Sequence, residues 1–129
     1  METLPWLEPK ALGESIALGD GLDSEALREG LRRLCADLSV RAVLAFGSRA
    51  RGDARSDSDL DLVVVCHEPD LTPEQKTALW RRYRDLLGRM SVGVDLIVTG
   101  WRRAERMAGS RWHVMGDVAR EGLVLYVAG

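Results

Sequence analysis

The chain has 129 residues, the length of one compact domain, and an ordinary apolar share of 46%. With 18 lysines and arginines against 20 aspartates and glutamates, its net charge of -2 excludes bulk electrostatic attraction as a route to nucleic acid, and no direct nucleic-acid binding is expected. No run approaches the ~18 apolar residues of a membrane helix. Met1–Lys10 holds Glu2, Pro5, Glu8 and Pro9 rather than a basic-then-apolar leader. The distant Cys35 and Cys66 make neither a disulfide framework nor a zinc spacing, so a reduced, cytoplasmic protein with buried free thiols is expected.

Residues 1–22 are punctuated by Pro5, Pro9, Gly13, Gly19 and Gly21, with a short amphipathic piece over 11–18. They read as an N-terminal extension that docks on the domain, docks on a partner or stays loose, and the sequence leaves the three open. The domain proper is read as 23–129. Asp23 or Ser24 caps a helix in which Leu27, Leu31, Leu34 and Leu38 recur at helical spacing, ending near Asp37. Val40–Phe46 is a short apolar strand, and Leu60–Cys66 a second one, apolar after Asp61 and therefore central and covered on both faces. Between them runs a tight Gly-Ser turn and an arginine-rich polar excursion.

Thr72-Pro73-Glu74 opens a second helix whose stripe is Leu79, Tyr83, Leu86, Leu87 and Met90. Residues 92–98 form a third strand interrupted by one carboxylate, Asp95. Helical patterns follow over 101–108 and 110–121, the latter stopping at Gly122, and Leu123–Val127 closes the chain as a small strand or docked tail. This order predicts an α/β (α+β) fold, a small mixed sheet packed with helices.

The chemistry is concentrated between residues 47 and 61. Successive strand side chains alternate in direction, so Asp59 and Asp61 project the same way. Asp95 joins them if its strand pairs alongside in suitable register. A lone aspartate here would read as a turn cap or an exposed strand end. Three converging carboxylates repel one another unless a cation or proton lies between them. A hard divalent metal such as Mg²⁺ would turn the set into a device for nucleotidyl transfer, with two carboxylates on the metal and the third positioning or deprotonating an incoming hydroxyl. Gly47 admits phosphates close to the backbone, and Ser48 offers a hydroxyl and an amide. Arg49, Arg51 and Arg55 flank the carboxylates and read either as groups that neutralise phosphate or as solvated loop arginines, Arg55 most readily as the latter.

Other loop chemistries fit poorly. Asp57, Asp59, Asp61 and Glu68 match an EF-hand count, but Leu62 stands where the loop needs glycine. Gly47 to Gly52 has two glycines, yet Asp53-Ala54 replaces the Lys-Ser/Thr of a P-loop. His67 and His113 read as a surface residue and a packing residue. Trp6, Trp80, Trp101 and Trp112 divide between core and interface anchors.

Gly47-Ser48, ten residues, then Asp59-Leu60-Asp61 resembles the signature of the DNA polymerase β-like nucleotidyltransferase superfamily. The fuller Gly-Ser-Arg-Ala-Arg-Gly followed by Ser58-Asp59-Leu60-Asp61-Leu62, with Val94-Asp95-Leu96 downstream and residues 120–126 as tail, resembles the minimal nucleotidyltransferases over roughly residues 24–127. The resemblance implies a nucleotide-binding core with Mg²⁺ on Asp59 and Asp61 and with Asp95 as the third catalytic, metal-facing carboxylate. It implies that Gly47, Ser48 and Ser58 surround the triphosphate of ATP.

Many such proteins are antitoxins paired with a HEPN-domain toxin and silence it by transferring AMP to a toxin tyrosine. The chain departs from the minimal form in its longer N-terminal segment. At this length no second, acceptor-binding domain is expected, and the acceptor is expected to come from a partner or a second copy. The alternatives from other classes are a non-catalytic antitoxin that neutralises by contact and a subunit that modifies a small molecule.

Overall fold

The computed structural model describes residues 4–129. A four-stranded mixed sheet is built from β1 (Val40–Phe46), β2 (Leu60–Cys66), β3 (Val94–Gly100) and β4 (Leu123–Val127), in the order β3-β2-β1-β4. β1 runs antiparallel to both β2 and β4, whereas β2 and β3 are parallel. Parallel neighbours need a long crossover, and α3 (Pro73–Leu87) supplies it. β2 is central, and every residue after Asp61 is buried, as its apolar run requires.

Alternation along the strands creates two cores. Val43, Ala45, Leu62, Val64 and Val98 face α3 and α1 (Ser24–Cys35), which contributes Leu27, Leu31 and Leu34. Ala42, Leu44, Val63 and Val65 face the opposite way, onto Ala104 of α4 (Trp101–Met107) and onto Met115 and Val118 of α5 (Val114–Glu121). The sheet is therefore sandwiched between helices, the α/β architecture expected.

The helix starts follow local chemistry. The Asp23 carboxylate accepts from the amides of Glu25 and Ala26 at 3.1 and 3.2 Å. Thr72 and Gln75 form a reciprocal capping box ahead of Pro73. The last helix begins at Val114 rather than at residue 110, because the His113 Nδ1 accepts from the Met115 amide at 3.1 Å and caps it there. His113 is thus a capping rather than a packing residue.

Residues 11–18 form no helix. Trp6 is buried against the α4/α5 face, Leu18 enters the α1/α3 core, and Lys10 exchanges backbone hydrogen bonds with Val127 at 2.9 Å in each direction. The segment therefore straps the edge of β4 and touches both cores. The Arg41 and Arg102 guanidinium groups lie over the Trp101 ring, 5.2 and 5.6 Å from its centroid, while Trp112 is 96% exposed. Cys66 is buried and Cys35 half-buried; both are free, and burial pushes the Cys35 thiol up to about 12. No described helix is long and apolar enough to cross a membrane.

Candidate active site

The site lies where β1 ends and β2 and β3 begin. Phe46 is opposite Asp61 across the β1/β2 pairing, and Asp61 is opposite Asp95 across the β2/β3 pairing. The register thus places the Asp61 and Asp95 carboxylates side by side. Asp59 stands just before β2, anchored by the Leu60 amide donating to the Gly93 carbonyl at 2.8 Å.

The stretch expected as a turn after Phe46 is a five-residue helix, α2 (Gly47–Arg51), which ends at Gly52 in a left-handed conformation. Gly47 has a φ of +72°, and a Cβ there would overlap the Asp61 carboxylate. Only glycine allows the chain to turn from β1 into α2 with an acidic side chain lying against its backbone.

The electrostatics follow from this crowding. Partial burial first, then the facing Asp95, which both repels Asp61 and shares a hydrogen bond with it, and then the Asp59 charge push Asp61 up to about 6; Arg51 pulls the other way. Asp59 stands apart from this pair: its carboxylate occupies the space beside Gly93 that a Cβ would fill. Among the described residues no three His, Cys, Asp or Glu side chains close into a metal cage. The donor set is instead an open one, two touching carboxylates with a third nearby. Hard oxygen donors that repel one another fit a hard divalent cation, and an open arrangement leaves coordination positions for phosphate oxygens.

The remaining expected residues divide. Ser48 is half-buried, and its carbonyl accepts from the amides of Gly52 and Asp53 at 3.0 and 3.1 Å. The Ser58 hydroxyl accepts from the Arg55 amide at 2.8 Å, tightening the loop that delivers Asp59. Arg51 is exposed on the site side of α2, pairing with Asp53 at 3.3 Å and Glu121 at 3.7 Å.

Arg49 departs from expectation. It is not a solvent-facing phosphate contact but is 3% exposed, directed away from solvent into backbone carbonyls of the loop and the N-terminal segment. The sequence reading also missed Gly93 and Glu121. Gly93 had a signal, a glycine inside a valine run, which marks close approach of another group. Glu121 had none.

The model of the nucleotidyltransferase domain matches residues 27–115, more than half of the chain and including all three aspartates. The chain belongs to the nucleotidyltransferase domain family. Among solved structures, this nucleotidyltransferase is similar to a toxin–antitoxin crystallised with AMP-PNP, at 19% identity and a TM-score of 0.50, over 77% of this chain and 72% of that one. It is also similar to a protein from Sulfolobus solfataricus described as a candidate nucleotidyltransferase, at 18% identity and a TM-score of 0.47, over 84% and 93%. The first of these likenesses concerns the fold alone. No curated protein matches the sequence.

Proposed function

We propose that this nucleotidyltransferase transfers AMP from ATP, with Mg²⁺, to a hydroxyl of a partner protein, a tyrosine by the family resemblance, and that it acts as the antitoxin of a HEPN-type toxin. The observation that carries the chemistry is the Asp61–Asp95 pair, set against Gly47. The toxin assignment draws on the resemblance and on the likeness to a toxin–antitoxin structure holding an ATP analogue.

In this reading Asp59, Asp61 and Asp95 hold Mg²⁺, which when bound neutralises triphosphate charge and polarises the α-phosphate. The backbone at Gly47, with no side chain in the way, lets the phosphates approach. Ser48 and Ser58 offer hydroxyls to them, and Arg51 exchanges its exposed pairing with Asp53 and Glu121 for phosphate oxygens. Asp95, on the exposed edge of the pair, takes the proton of the acceptor hydroxyl. The acceptor oxygen then bonds to the α-phosphorus as the bond to the β-phosphate bridging oxygen breaks and pyrophosphate leaves.

The test is intact-mass spectrometry of the protein encoded beside this chain, incubated with ATP and Mg²⁺. Adenylate-sized increments that require Asp59 and Asp61 support the reading. A partner that binds tightly and stays unmodified would replace it with neutralisation by contact. Turnover of ATP with a small acceptor and no protein partner would replace it with a small-molecule enzyme.

A further inference from the structure

Arg49 is 3% exposed, and its guanidinium bonds only backbone carbonyls among the described residues. Nε and Nη2 both donate to the Ser58 carbonyl, at 3.0 and 2.8 Å. Nη2 also reaches the carbonyls of Ser56 and Arg55 at 3.3 and 3.4 Å. Nη1 donates to the carbonyls of Leu18 and Asp20 at 2.8 and 2.9 Å. One side chain on α2, next to Ser48, thus holds the loop that ends at Asp59, and a stretch of the N-terminal segment besides.

The two held backbones also touch each other. Gly21 has a φ of +88°, and a Cβ on it would overlap the Ser56 carbonyl; Gly19 shares that φ and lies against Nη1. The Ser91 hydroxyl donates to the Gly21 carbonyl at 2.7 Å, which ties the same stretch to the loop entering β3. The carbonyl that receives the double contact belongs to the Ser58–Asp59 peptide, so its orientation sets where the Asp59 side chain departs. A planar fork of five N–H donors can span these acceptors. A lysine ammonium, with three donors at one point, cannot.

We propose that Arg49 is a positioning residue that fixes Asp59 for the divalent cation and makes residues 18–20 of the N-terminal segment part of the active-site support. The proposal rests on the metal-dependent transfer reading above. Groups that orient metal ligands change metal affinity by about 10–100-fold when replaced.

The experiment uses the full chain and Mn²⁺ alone as probe, with amide hydrogen exchange and a binding isotherm as readouts. In Arg49→Lys, exchange over 18–20 and 55–59 rises together while β1 and β2 keep their protection, and the Mn²⁺ dissociation constant rises about tenfold or more. A second measurement needs no variant. Adding Mn²⁺ to the wild type slows exchange over 18–20 as well as 55–59, although 18–20 supplies no proposed ligand, because coupling between the two is reciprocal.

Wild-type Mn²⁺ affinity in Arg49→Lys, or protection confined to 55–59 in the wild type, would overturn the positioning role and leave the transfer reading standing. A wild type that binds no Mn²⁺ would overturn the transfer reading itself, and the role with it.

Discussion

Asp61 and Asp95 stand directly opposite one another at the start of the parallel β2/β3 pairing, on neighbouring strands joined through α3. Nothing in folding alone favours this. Two carboxylates held together destabilise the chain that holds them: partial burial, and after it the facing Asp95, push Asp61 up to about 6.

Removing one member of the pair therefore stabilises the metal-free protein. Asp61 ordinarily titrates near 3.8 and here near 6, so its favourable contribution is complete below 3.8 and is lost as pH rises through about 6. In chelator at pH 7.5, Asp95→Asn is expected to raise stability by on the order of 1 kcal/mol, discounted for solvent screening, or a few degrees in Tm. The gain shrinks at pH 4, where Asp61 is protonated. Scanning calorimetry at the two pH values checks this.

Gly47→Ala places a Cβ where the Asp61 carboxylate lies, on a backbone with positive φ. The variant is expected to lose about 1–3 kcal/mol of stability from the strained backbone. Displacing a reacting group by as little as an ångström is expected to lower the transfer rate by about 100-fold. Thermal melts and a rate assay on the same preparation separate the two effects.

The sequence showed the site more clearly than its support. Asp95 was legible because a charge interrupting an apolar strand has no packing reason to be there, and Leu60–Cys66 was legible as central because apolar residues fill both of its faces. The register that sets Asp61 against Asp95 was open, because it depends on how α3 returns the chain to the sheet.

α2 was read as a turn because its five residues, begun by Gly-Ser, carry too few apolar positions to show a period. Arg49 looked like its neighbours Arg51 and Arg55, since loop arginines are ordinarily solvated. Its burial depends on carbonyls from residues 18 and 20, which lie far off in sequence within a segment that has no periodicity of its own.

A polar cluster at the opposite end of β2 gives a second pH test. Asp37 accepts from the Ser39 amide at 3.0 Å and hydroxyl at 2.7 Å, and pairs with Arg82 at 2.7 Å, while Ser39 also bonds the buried Tyr83 hydroxyl. Burial alone would raise Asp37, but the Ser39 bonds and the Arg82 charge outweigh it and hold the carboxyl below its usual range. The stabilisation is present above the ordinary carboxylate range and is lost as pH falls through the lowered value. Ser39→Ala is expected to lose about 1–2 kcal/mol at pH 7. The gap from wild type should narrow at pH 3, as read from urea midpoints.

The His113 cap has a simple chemical replacement. His113→Ala leaves the Met115 amide without its acceptor and is expected to lose about 1 kcal/mol, whereas His113→Asn, a strong capping residue, stays within a few tenths of wild type. Denaturant titration of the two variants decides between a capping role and a purely spatial one.

The most direct test is to supply ATP labelled at either the α- or the γ-phosphorus, with Mg²⁺, the partner protein and this chain, and to follow label into protein. The α-label is expected to enter the partner, the γ-label to leave as pyrophosphate, and Asp59→Asn with Asp61→Asn to abolish transfer while the complex still forms. Incorporation of the γ-label, or α-label transfer that survives the loss of both aspartates, would contradict the proposed function.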